Sequence, residues 1–140
     1  MPYIVDWLVE GKVLYTQFCG SLNMETLHAS NREKSLLLTS LTERVTNIVD
    51  VRSVTRYPIS LSQLKQASTV VGHPNVKITC TMVSNPILRT IVTTVASAIH
   101  ANVKVFPDEK ALLDYLREVE PGILPDDMVT FPAKLACHSE

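Results

Sequence analysis

The sequence predicts an α/β fold: a single mixed, mostly parallel five-stranded sheet with an N-terminal β-hairpin, in the order β-β-α-β-α-β-α-β-α. Three observations predict it. Short apolar runs rich in β-branched residues alternate with segments of helical spacing. The first two runs are joined by only Glu10-Gly11-Lys12, a connection short enough for an antiparallel hairpin. Each later run is reached through a helical segment, which calls for parallel neighbours and right-handed crossovers.

The first strand is Tyr3 to Leu8 and the second Val13 to Phe18. In the second, Val13, Tyr15 and Gln17 face one side, and Leu14, Thr16 and Phe18 the other. Gly20-Ser21 breaks it. Asn23 then caps a helix running to about Ser40, with Glu25 in the first turn complementing the helix dipole. Its apolar face is imperfect: Met24, Leu27, Leu37, Leu38 and Leu41 are interrupted by the polar run Asn31-Arg32-Glu33-Lys34. Thr46 to Val51 is the third strand. Ser60 and Gln63 have capping-box spacing. They open a helix with Leu61, Leu64, Ala67 and Val71 at core positions, closed by Gly72-His73-Pro74.

Val76 to Val83 alternates and is β-branched, the pattern of an inner strand. Asn85-Pro86 starts the next helix, with proline at its first position. That helix, about Pro86 to His100, reads as apolar nearly all round and so as buried on more than one side. Val103 to Phe106 is a final strand. Pro107-Asp108-Glu109 opens a last helix with Ala111, Leu112, Tyr115, Leu116 and Val119 at core spacing. Residues 1–120 thus form one domain. Residues 121–140 form an extended tail, too apolar for a free linker, that packs on the domain or on a neighbour.

Composition narrows the function classes. The 140 residues are 46% hydrophobic and 19% charged, with 13 Lys+Arg against 14 Asp+Glu. That suffices for a real core and argues against a charge-driven partner such as nucleic acid or an anionic membrane. No apolar run is long enough to span a bilayer. The start lacks the pattern of a signal peptide, so a cytoplasmic location is expected. Cys19, Cys80 and Cys137 show neither a disulfide framework nor zinc-ligand spacing, and Cys19 and Cys80 read as small buried hydrophobes. Cys137-His138 supplies at most two metal ligands, short of a site. His28, His73, His100 and His138 are isolated in sequence. Nucleotide-binding glycine motifs and a nucleophile elbow are missing. The reading is therefore non-enzymatic, with no cofactor and no metal.

Ligands of open α/β sheets gather beyond the carboxyl ends of the parallel strands. Here that rim collects Ser21, Asn23, Arg52, Ser53, Arg56, Tyr57, Ser60, Ser84 and Asn85. Arg52 and Arg56 could grip a phosphate or carboxylate, or they could pair with Asp50 and nearby acids. The apolar helix Pro86–His100 could line a cavity for a lipid-like ligand, although a domain of this size leaves little room for a large one. Its small Ala, Ser and Thr positions also suit self-association, for which a two-fold dimer is the commonest form.

The element order has a further implication. The stretches Val13 to Phe18 with Gly20 to Glu25, Asn47 to Val54, and Val105 to Leu116 together resemble the STAS-like domains. More narrowly, the chain is similar to small bacterial proteins that combine features of STAS (anti-sigma-factor antagonist) and CRAL-TRIO lipid-binding domains. The resemblance implies a regulatory protein-interaction module with a protein partner such as a kinase-like regulator. Anti-sigma-factor antagonists carry an Asp-Ser-Ser-Gly motif after the third strand, with one serine phosphorylated. Counted without gaps from Asp50, it falls on Pro58-Ile59-Ser60-Leu61. Ser60 is thus the phosphorylation candidate, while the acidic residue and the glycine are replaced. The alternative function is binding or carriage of a small apolar or anionic ligand.

Overall fold

The computed structural model describes residues 3–57, 60–68, 73–128 and 130–131. Two strands come first, β1 (Tyr3–Val9) and β2 (Val13–Ser21), joined at Gly11, whose φ of 72° suits a residue without a Cβ. They pair antiparallel. Then follow α1 (Met24–Thr39), β3 (Val45–Arg56), α2 (Leu61–Ala67), β4 (Val76–Met82), α3 (Pro86–Ala98), β5 (Val103–Phe106) and α4 (Glu109–Val119). The sheet order is β1-β2-β3-β4-β5, and every pair after the hairpin is parallel. The mixed five-stranded sheet expected from the sequence is therefore the one observed.

Each helix begins where its cap residue dictates. Asn23 accepts from the Thr26 N–H at 2.8 Å, Asn85 from Ile87 at 2.8 Å, and Asp108 from Ala111 at 2.9 Å. Each side chain satisfies an N–H that the helix itself leaves unpaired. The α3 end is less usual. His100 takes a left-handed φ of 56°, the Ala101 N–H reaches the Ala96 carbonyl, and the His100 N–H reaches that of Ser97. This is a Schellman closure with histidine where glycine is the common choice.

Strand alternation divides the core in two. On one face, Val13, Tyr15, Ile48, Ile78, Cys80 and Met82 pack against Leu112, Leu113 and Leu116 of α4, together with Leu124 and Phe131 beyond it. The other face is covered by α1, α2 and α3. Phe18, Val51, Val54, Val83 and Leu88 form a cluster there, and Leu14, Leu38, Val45 and Val76 another.

Some expectations need correction. β3 runs to Arg56, well past Val51, because its far end pairs with Cys19, Gly20 and Ser21 of β2. The α3 helix is buried on one side only. Leu88, Val95 and Ala96 are buried, while Ile87 is 66% exposed. The hydroxyls of Thr90, Thr93 and Thr94 donate to carbonyls four residues back. Their polar needs are met within the helix, so these threonines tolerate a solvent face that residue type alone reads as near-apolar. Cys19 is disulfide-bonded, since cysteines remote in sequence can be neighbours in space. Cys80 is free and buried as expected. Expectations for Val71, Gly72, Cys137 and His138, and for the tail from residue 132 on, fall outside the described residues. No helix among the described residues is long and apolar enough to cross a membrane.

Candidate functional site

The rim residues separate into different tasks. Asp50, only 4% exposed on β3, takes the Arg52 backbone N–H and Nε on one oxygen, each at 3.0 Å. Its other oxygen takes Arg52 Nη2 at 3.0 Å and the Tyr15 hydroxyl at 3.4 Å. Arg52 Nη2 also reaches Glu109 Oε1 at 3.1 Å, and Glu109 accepts from the Thr130 hydroxyl and the Phe131 N–H. Hydrogen bonding to Asp50 pushes the Arg52 pKa up, and burial followed by the Asp50 charge pushes the Tyr15 phenol up. Arg52 is thus committed to an internal network that ties β3 to α4 and to residues 130–131. Of the two roles the sequence allowed it, pairing with nearby acids is the one seen.

The other rim residues do not converge on one centre. Ser53 and Arg56 are exposed on β3, and Ser84 and Asn85 are exposed before α3. Asn85 is occupied as a cap. Ser60 caps α2, accepting from the Gln63 N–H at 3.4 Å. Tyr57 turns inward to line a cavity.

That cavity, about 150 Å³, lies between the sheet and α1–α3. Leu88, Ile91, Val92, Val95 and Ala96 of α3, with Ile99 at its C-terminal cap, form its apolar wall, while Asn47, Thr79 and Thr81 give it a polar floor. Leu64, Ala67 and Ser68 of the α2 segment close another side. Its volume matches that of a dry engineered cavity that accepts benzene. The sequence argument that no large void fits this domain is respected in size, yet a cavity of about 150 Å³ is present.

Lys34 gives the cavity its chemistry. It lines the void from α1, only 4% exposed. Its ammonium lies 5.6 Å from the centre of the Phe18 ring, a favourable but modest contact. No carboxylate among the described residues lies within ion-pair distance of it. Burial pushes its pKa down to about 8. The floor holds a second unmet group: Asn47 Nδ2 donates to Thr79 Oγ1 at 3.3 Å, whereas the buried Oδ1 has no partner among the described residues.

Sequence reasoning missed both residues. Lys34 was grouped with a polar run, but the buried row of α1 is Thr26, Ser30, Lys34 and Leu38 at strict four-residue spacing. That spacing was the available signal. Asn47 sits in a parallel strand covered on both faces, where any polar residue must point into an interior. On the opposite face, burial pushes the Cys80 thiol up to about 12, which leaves it a poor nucleophile at neutral pH. No cluster of metal-ligating side chains occurs among the described residues.

An α/β sheet with an N-terminal hairpin, three crossover helices on one face and a last helix on the other defines a STAS-type architecture. Comparison with solved structures agrees. The chain is similar to a protein of the DUF3478 family with a SpoIIAA-like fold from Shewanella loihica PV-4, with a TM-score of 0.60 and 12% identity, over 81% of this chain and 91% of that one. At such identity the likeness establishes the fold and carries no residue's role across. No protein-family model and no curated protein matches the chain.

Proposed function

We propose that this STAS-like chain is a non-enzymatic regulatory module that binds a compact, mostly apolar small molecule beneath α1, α2 and α3. The cavity carries this reading: close-packed interiors rarely keep a void of this size, and this one joins an apolar wall to a few polar groups, as small-molecule sites do. Protein contact is the output side of the same proposal. The α2 segment that closes the cavity with Leu64 and Ala67 begins at Ser60. Ligand occupancy therefore acts on the element that carries the phosphorylation candidate and the surface a kinase-like partner would meet.

Native mass spectrometry of freshly purified protein, followed by thermal unfolding with hexan-1-ol or benzyl alcohol, tests the reading. A retained small-molecule mass, or a rise in Tm that Val95→Phe abolishes by filling the void, is expected. At a hundredfold excess over Kd the stabilisation approaches about 3 kcal/mol. No retained mass and no Tm response to either alcohol would contradict it.

A further inference from the structure

Within that binding reading, on which this inference rests, we infer that the ligand is a small monocarboxylic acid whose hydrocarbon body fills the cavity and whose carboxylate pairs with Lys34. Three observations converge. Lys34 is buried at the cavity wall with no carboxylate partner among the described residues. Buried cations are ordinarily paired, because a lone one forfeits its hydration without return. Even less buried cations of this chain are paired: half-buried Arg52 has Asp50 and Glu109, and half-buried Lys77 has Glu120 at 2.6 Å. Among the described residues, fully buried Lys34 is the exception, and it is the charged side chain that lines this void.

Asn47 makes the second observation. Its Oδ1 is buried and unpartnered on the cavity floor, and its Nδ2 meets Thr79 Oγ1 at 3.3 Å; with the amide turned over, Oδ1 accepts from the Thr79 hydroxyl and Nδ2 becomes a donor for a carboxylate oxygen. The third is the match of size and polarity. Five apolar side chains of α3 and Ile99 at its cap face a benzene-sized space, room for a short aliphatic or single aromatic body and not for a long acyl chain. One positive charge on a lining otherwise uncharged among the described residues selects one negative charge on the ligand. A di- or triphosphate would bring more anionic oxygens than a single lysine can offset.

The experiment titrates 15N-labelled protein at pH 7 with two matched pairs, benzoate against benzyl alcohol and hexanoate against hexan-1-ol, in the wild type and in Lys34→Met. Chemical-shift changes should map to Lys34, Asn47, Thr81 and Val95. Each carboxylate should bind the wild type at least tenfold more tightly than its alcohol. In Lys34→Met that preference should vanish while the alcohols still bind; Lys34→Gln repeats the test should Lys34→Met fail to fold. Equal affinity for acid and alcohol in the wild type would overturn this inference and leave the cavity reading standing. Failure of all four probes to bind would overturn both. An acid preference that persists without Lys34 would also overturn the assignment.

Discussion

Lys34 is where packing and charge conflict most sharply. Burial pushes its pKa in the folded chain down to about 8, from the ordinary lysine value of 10.5. Between those values the folded chain binds fewer protons than the unfolded one. The penalty is fully present below pH 8 and is relieved as pH rises toward 10.5. The difference amounts to about 3 kcal/mol. Lys34→Met should therefore be more stable than the wild type in urea at pH 7, and its advantage should shrink at pH 9.5. Parallel stability profiles for the two proteins would contradict the assignment. Arg52 behaves in the opposite sense. Removing it in Arg52→Ala leaves Asp50 buried with the Tyr15 hydroxyl as its remaining side-chain partner, and the loss should reach about 3 kcal/mol. Denaturation that is unchanged in Arg52→Ala would mean the network contributes nothing. Both residues were visible in the sequence as charges. The sequence left two roles open to Arg52 and gave none to Lys34, because a charge's environment depends on what the fold brings from elsewhere: Glu109 to Arg52 and, among the described residues, no ion-paired acid to Lys34.

Helices and strands were far more legible. Asn23, Ser60, Asn85 and Asp108 mark helix starts through side-chain chemistry that acts within four residues, so local sequence suffices. Strand ends were less so, since the last residues of β3 are held by pairing to β2 rather than by their own pattern. The exposed side of α3 was misread for a related reason: threonines that bond their own backbone look apolar in a periodicity count. The closure of α3 offers a test. His100 adopts a left-handed conformation that costs a residue with a Cβ about 1 kcal/mol. His100→Gly should raise stability by up to about 1 kcal/mol, read as a higher urea midpoint with an unchanged m-value. A loss of stability would show that the imidazole makes a contact of greater worth than the relief of strain.

The molecule as a whole joins two unequal faces. The α4 side is closed by apolar packing and the Asp50–Arg52–Glu109 network. The α1–α3 side keeps an unfilled space at its centre, floored by Asn47, Thr79 and Thr81. Cys80, on the closed side, should resist thiol reagents at pH 8 until the chain unfolds, given its burial and a pKa near 12; rapid labelling of native protein would place an opening there instead. The central claim is that the space beneath α3 is real and receptive to an apolar guest. Diffraction from crystals pressurised with xenon tests it most directly. The account predicts a xenon peak between Val95 and Thr81, lost in Val95→Phe. A region packed solid by side chains, with no xenon density in it, would contradict it.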